Sequence, residues 1–247
     1  MVAYSAPIKI HHPRPVHLLV DATYWGERTE DTSWCSVVAR DQKAKENLWW
    51  SHENTESTSV YLRCRQALTD LGYTLLSVTG DGFSGIKQAF QGIPFQMCLV
   101  HMERLVIRGT TRKPELEAGR VLLALARSLH KTNSQTFNRR LEQYIDKYRD
   151  FLNEKTTHPV SGEWSWTHES LRMAVNSLVR LKTYLFTFEK HRDIPKTTNS
   201  LEGHFRHMRD ITSVHCGLGC SSKEKLLHSI LLAGSIAPSK KKLNEIL

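Results

Sequence analysis

Three carboxylates in this 247-residue chain stand where a regular element begins or ends: Asp21 late in the apolar run HLLVD, Asp81 just after SVTG, and Glu202 in the opening turn of TNSLEGHFRHM. Acids carried on separate elements can converge on hard cations, because Mg²⁺ prefers oxygen ligands and keeps part of its water. The chemistry open to such a centre is attack on a phosphodiester, whose negative charge repels nucleophiles and whose leaving oxygen departs as an anion. Two ions about 4 Å apart meet both difficulties. Each acid also has a plainer reading. Asp81 lies between two glycines and suits a turn, and Glu202 follows Asn199 at the spacing of a capping box. Asp21 is harder to explain away, since an aspartate inside an apolar strand is costly without a partner.

Other residues could hold metal or nucleic acid. Cys98 and His101 have the spacing of a zinc half-site, which needs about four ligands; Cys216 and Cys220, with His215, could complete it. The alternative is a buried thiol and a packed histidine, structural or substrate-positioning. Trp164 and Trp166, in GEWSWTH, are either core rings or exposed stacking surfaces. Arg206 and Arg209 follow Glu202 at helical spacing and share its face. They either contact DNA phosphates or pair with the acid, and phosphate contact leaves Glu202 the better metal ligand.

These residues need a scaffold. The runs 16–24, 33–40 and 47–50 read as strands of a meander, 57–71 as a helix stopped by Gly72, and 74–79 as a buried strand running into Gly80 and Asp81. A short helix over 84–90 and a strand over 95–100 follow. From about 105 to 190 the apolar residues recur at helical spacing, as in Leu122, Leu125, Ala126 and Leu129, or Leu171, Ala174, Val175 and Leu178. Helices are expected from near Asn199 and from Ser222 to Ala233. The reading is an α/β, ribonuclease H-like mixed sheet flanked by helices. Residues 1–104 form its first part, 105–190 an all-helical insertion, and 191–247 the end of the core with the third acid.

Composition is consistent with this. Hydrophobic residues at 40% and charged residues at 24% describe a folded globular chain. A net charge of +9 suits a polyanionic partner. Five scattered cysteines point to reduced thiols rather than a disulfide framework. No stretch approaches the roughly 18 consecutive apolar residues of a membrane span, and the expected location is cytoplasmic.

The motifs VDATYWG, VTGDGFSGIKQAF, CLVHMERLV and TTNSLEGHFRHMR, in this order, resemble the Mutator-type transposases of bacterial insertion sequences, a group of the acidic-triad (DDE) class. The resemblance covers nearly the whole chain. It implies that Asp21, Asp81 and Glu202 bind two Mg²⁺ or Mn²⁺ ions and catalyse DNA cleavage and strand transfer, on transposon ends and target, by a homo-oligomer assembled on DNA in a bacterial cytoplasm. It also implies that a tryptophan of the insertion stacks on a base near the transposon end. Two other readings stay open: a cutting-only ribonuclease H-like nuclease, and a truncated, silent remnant that binds DNA or a sister transposase. The resembling family places a DNA-binding segment ahead of the core, whereas here the first strand begins within 20 residues of Met1. The expectation is a core fragment or truncated frame, with weak, salt-sensitive DNA contacts to phosphate.

Overall fold

The computed structural model describes residues 8–26, 33–215 and 217–236. Along the chain, β1 (Pro15–Trp25), β2 (Trp34–Asp41) and β3 (Glu46–Glu53) are followed by α1 (Thr58–Asp70), β4 (Thr74–Gly80), α2 (Ser84–Ala89) and β5 (Phe95–Met97). Next come α3 (Leu99–Thr110), α4 (Glu117–Arg127), α5 (Ser134–Lys147) and the one-turn α6 (Arg149–Leu152). Two short strands, β6 (Lys155–Thr157) and β7 (Trp164–Trp166), precede α7 (Glu169–Leu181), α8 (Asn199–Val214) and α9 (Cys220–Ile236). The chain divides into two compact units, one combining Met1–Phe95 with Thr198–Leu247 and the other spanning Gln96–Thr197.

In the first unit the sheet order is β3-β2-β1-β4-β5. Strands β1 to β3 are an antiparallel meander, and β4 lies parallel to β1 on its other side. This mixed sheet flanked by helices is the ribonuclease H-like core. A parallel partner must be reached by a crossover, and α1 makes it. Its exit is a Schellman turn, with Tyr73 N–H donating to Leu68 C=O and Gly72 N–H to Thr69 C=O. Gly72 carries the left-handed φ of 88° that this turn requires, which is why a glycine stands there.

Alternation along β1 directs Leu19, Asp21, Thr23 and Trp25 to one face. Leu19 and Trp25, with Trp34 and Val38 of β2, form a core with Leu201, Phe205 and Met208 of α8 and Leu227 and Leu231 of α9. The α8 residues recur at i, i+4 and i+7, so one helical stripe meets one sheet face. A buried polar group adds a second tie. The Asn47 side-chain N–H donates to His204 Nε2 and to the Leu231 carbonyl, both at 3.0 Å, and Asn47 Oδ1 accepts from Arg40 at 2.5 Å. Burial, helped by the charge of Arg40 and then by His207, pushes the His204 pKa down to about 4, so the ring stays neutral and accepts this hydrogen bond.

The second unit is mostly helical around Leu122, Leu129, Phe137, Leu178, Leu181 and Leu185, all essentially inaccessible. The stretch expected to be wholly helical also contains the β6-β7 hairpin, with Lys155 opposite Trp166 and Thr157 opposite Trp164. β-Branched and aromatic residues favour this pairing, and helical periodicity gives no sign of it. The expected strand over 95–100 stops at Met97, and Cys98 is the N-cap of α3. Helices α3 and α7 pack closely at Gly109, where an added Cβ would lie 2.4 Å from the Ser170 carbonyl oxygen and 2.8 Å from Ala174 Cβ. Gly203, in α8, has nothing within 4 Å of such a Cβ. Opposite effects follow from these two helix glycines. Gly109→Ala should lower stability by about 1 to 3 kcal/mol through overpacking, while Gly203→Ala should raise it by about 0.5 to 1 kcal/mol through backbone entropy. Urea denaturation of the two variants against the parent measures both.

Candidate active site

Pairing between β1 and β4 ends at Leu19 opposite Thr79. Two residues beyond that last pair stand Asp21, still within β1, and Asp81, just past the end of β4, so the same register carries both aspartates to the point where the two parallel strands part. Side chains that act on a ligand collect at such points in α/β sheets. Asp21 is only 7% exposed and receives the Ala22 N–H on Oδ1 at 2.9 Å. Asp81 Oδ1 receives the Phe83 N–H at 2.9 Å, a turn contact that orients the carboxylate without consuming its second oxygen.

Glu202 enters from α8. The N-cap of that helix is Thr198, not Asn199, and Glu202 N–H donates to the Thr198 carbonyl at 3.0 Å. The capping-box role considered for Glu202 with Asn199 is therefore not the one observed. Docked on the face of β1 that carries Asp21, α8 brings a Glu202 carboxylate oxygen within 4.8 Å of one from Asp21. Asp81 lies outside this close pair. Carboxylate oxygens, one pair of them almost fully buried, are hard donors of the kind that Mg²⁺ or Mn²⁺ accepts.

Arg209 donates to the Thr23 hydroxyl, on the same strand face as Asp21. Arg206 is exposed and makes no ion pair among the described residues. Neither arginine is committed to Glu202. A residue the sequence gave no reason to single out is Tyr61 of α1, completely buried, whose hydroxyl donates to Glu56 Oε1 at 2.6 Å. Burial first, then the charge of Glu56 and the hydrogen bond to it, then Asp21 and Asp81, raise the phenol's pKa well above its ordinary value.

In the second unit, Cys98 is fully buried and His101 is half-buried on α3. Cys216, one of the possible zinc ligands, lies outside the described residues; Cys220 is exposed. Trp164 is 53% exposed. Its ring meets Trp166 edge-on at 5.2 Å and has the Lys155 ammonium 3.9 Å from its centroid. Trp166 is more covered, with the Arg172 guanidinium 4.0 Å from its ring. Cationic groups beside an exposed ring were not legible from spacing, because they depend on the hairpin pairing and on α7.

The sheet order and the flanking helices define an α/β ribonuclease H-like fold. The chain belongs to the transposase IS66 family, whose sequence model matches residues 17–212, and it is a DDE-type transposase. The Mutator-type assignment is corrected by this match. An order of acids along a chain is common to several transposase families, so motif order alone does not separate them. No curated protein matches the chain. Among solved structures, the HTLV-2 integrase catalytic core domain in complex with magnesium (trimeric form) is 18% identical with a TM-score of 0.28, over 64% of this chain and 97% of that one. A simian T-cell lymphotropic virus intasome in complex with PP2A regulatory subunit B56 gamma is 13% identical with a TM-score of 0.27, over 69% and 51%. No helix among the described residues is long and apolar enough to cross a membrane.

The cysteines provide a direct check on this packing. Burial, with Glu56 and Glu53 nearby, pushes Cys35 up to about 12, and burial alone raises Cys64 further. Thiolate is the reactive form. Iodoacetamide at neutral pH should therefore modify Cys220 in the folded protein and spare Cys35, Cys64 and Cys98 until denaturant is added. Peptide mapping by mass spectrometry reads each position, and rapid native labelling of Cys35 or Cys98 would contradict the packing described.

Proposed function

We propose that this transposase cleaves DNA at the ends of an insertion sequence and joins the freed 3′-hydroxyls to target DNA, with Asp21, Asp81 and Glu202 holding two Mg²⁺ or Mn²⁺ ions. The observation that carries this reading is the approach of the Asp21 and Glu202 oxygens to within 4.8 Å, with Asp81 at the end of the neighbouring parallel strand. When bound, the two ions supply activation of the attacking oxygen and stabilisation of the leaving one. Asp21 and Asp81 present oxygens oriented by the Ala22 and Phe83 amides. Glu202 contributes from the first turns of α8, where the helix dipole favours a carboxylate.

Arg206 is assigned to a DNA phosphate, and Arg209 supports the Thr23 side of β1 while remaining exposed enough to reach one. Cys98 and His101 are assigned to structural support or substrate positioning. Trp164 is the stacking candidate of the pair, since it keeps more of its ring exposed and has Lys155 beside it to meet a phosphate. DNA is the partner, with homo-oligomers assembling on it.

A strand-transfer assay on labelled insertion-sequence ends, with Mg²⁺ or Mn²⁺, tests the central reading. Asp21→Asn, Asp81→Asn and Glu202→Gln should each reduce cleavage and joining to background while leaving the far-ultraviolet circular dichroism unchanged. Full activity in one variant would remove that residue from the site, activity in excess chelator would defeat the metal assignment, and cutting without joining would favour a nuclease. A second expectation concerns the hairpin. Trp164→Ala should weaken DNA binding by about 1 to 3 kcal/mol, the usual contribution of one base stack, whereas Trp166→Ala should act mainly on stability. Fluorescence anisotropy and thermal unfolding separate the two, and equal binding by Trp164→Ala and the parent would rule the stacking role out.

A further inference from the structure

Thr23 is 1% exposed, yet its hydroxyl accepts a hydrogen bond from the guanidinium of Arg209, a side chain at the surface of α8. A hydroxyl is an unusual partner for that group. Guanidinium ordinarily pairs with a carboxylate or a phosphate, which match both its fork of five N–H donors and its charge. Among the described residues no carboxylate pairs with Arg209, and Thr23 is its hydrogen-bond partner. The contact therefore fixes where the guanidinium lies and leaves its charge uncompensated. That place is beside the acids. Thr23 stands two residues past Asp21 on the same face of β1, about 7 Å along the strand, and Arg209 stands seven residues past Glu202, about two turns along α8. The offset of about 7 Å is the rise of two nucleotides in a duplex strand. A carboxylate in place of Thr23 would orient the guanidinium equally well, but it would also neutralise it and repel a phosphate.

We propose that Thr23 is a positioning residue, whose buried hydroxyl holds Arg209 in place to take a DNA phosphate neighbouring the one at the acids. The inference rests on the reading of DNA as substrate and deepens it. A long side chain loses rotamer freedom when it takes a ligand, and that loss weakens binding unless the chain is already held. Thr23 supplies the hold from within the sheet. It acts through Arg209 and does not itself touch the substrate.

Fluorescence anisotropy of the full chain with a labelled duplex, in EDTA and over about 50 to 200 mM salt, tests this without metal or turnover. Thr23→Val, which keeps the branched shape, should weaken binding about twofold to tenfold, the ordering cost of one long side chain at an interface. Thr23→Ser, which keeps the hydroxyl, should bind as the parent does. Arg209→Gln should bind more weakly than Thr23→Val and should lower the slope of log affinity against log salt by about one, the mark of a lost phosphate contact. Adding Thr23→Val to Arg209→Gln should then cost nothing further, the non-additivity of a coupled pair. Equal losses from Thr23→Val with and without Arg209, a loss in Thr23→Ser matching that in Thr23→Val, or an unchanged salt slope in Arg209→Gln would overturn the proposal. If Thr23→Val fails to fold, judged by circular dichroism, Arg209→Lys decides: it keeps the charge and lacks the fork, so weaker binding supports the tie and parental binding overturns it. A parent without salt-dependent binding to the duplex overturns the DNA reading and the proposal together, whereas a parent that binds no better than Thr23→Val overturns the proposal alone.

Discussion

Two carboxylates brought within 4.8 Å of one another, one of them 7% exposed, repel in surroundings that screen poorly. An uncompensated buried charge is among the most costly features a fold can carry. The protein moderates that cost with fixed dipoles: the Ala22 amide on Asp21, the Phe83 amide on Asp81, and the amino-terminal turns of α8 beneath Glu202. Repulsion of this kind is what a bound divalent cation would relieve. Most of the first unit can be understood as what is required to hold these acids together.

The apolar stripe of Leu201, Phe205 and Met208 docks α8 on β1 and β2, and the Arg40, Asn47 and His204 group ties the same helix to β3 and α9. These contacts use opposite means. Apolar burial supplies the attraction without regard to direction, while the Asn47 amide, with both its donor and acceptor functions engaged, specifies how the helix is placed. His204 serves only as a neutral ring, which its burial beside Arg40 maintains.

The second unit shows a different economy. Its helices bury leucines and aromatic rings much as any bundle does, yet its short hairpin leaves Trp164 half exposed beside Lys155. That ring packs on Trp166 and the Lys155 stem instead of entering the core. Membership of the transposase IS66 family, and not of the Mutator type, shows how far motif order can be trusted. Acid spacing reports the chemistry that a fold must perform, and several families perform it.

Much of this protein was legible from residue order. Alternating and continuous apolar runs located β1 to β4, helical spacing located the helices of the second unit and α8, and Gly72 announced the end of α1. Asp21 declared itself because an acid has no ordinary reason to lie in an apolar strand. These are local properties, set by backbone geometry over a few residues, and a sequence states them directly. Tertiary structure alone decided that β1 and β4 pair in a register leaving Asp21 and Asp81 two residues past their last pair, and that α8 turns Glu202 toward Asp21. It also decided that Arg209 is tied to Thr23, that Lys155 and Arg172 flank the tryptophans, and that the Tyr61 hydroxyl is buried against Glu56. Each of these relations joins residues far apart in the chain through the docking of one element on another. Such docking depends on the summed packing of whole faces, and no spacing between individual residues encodes it.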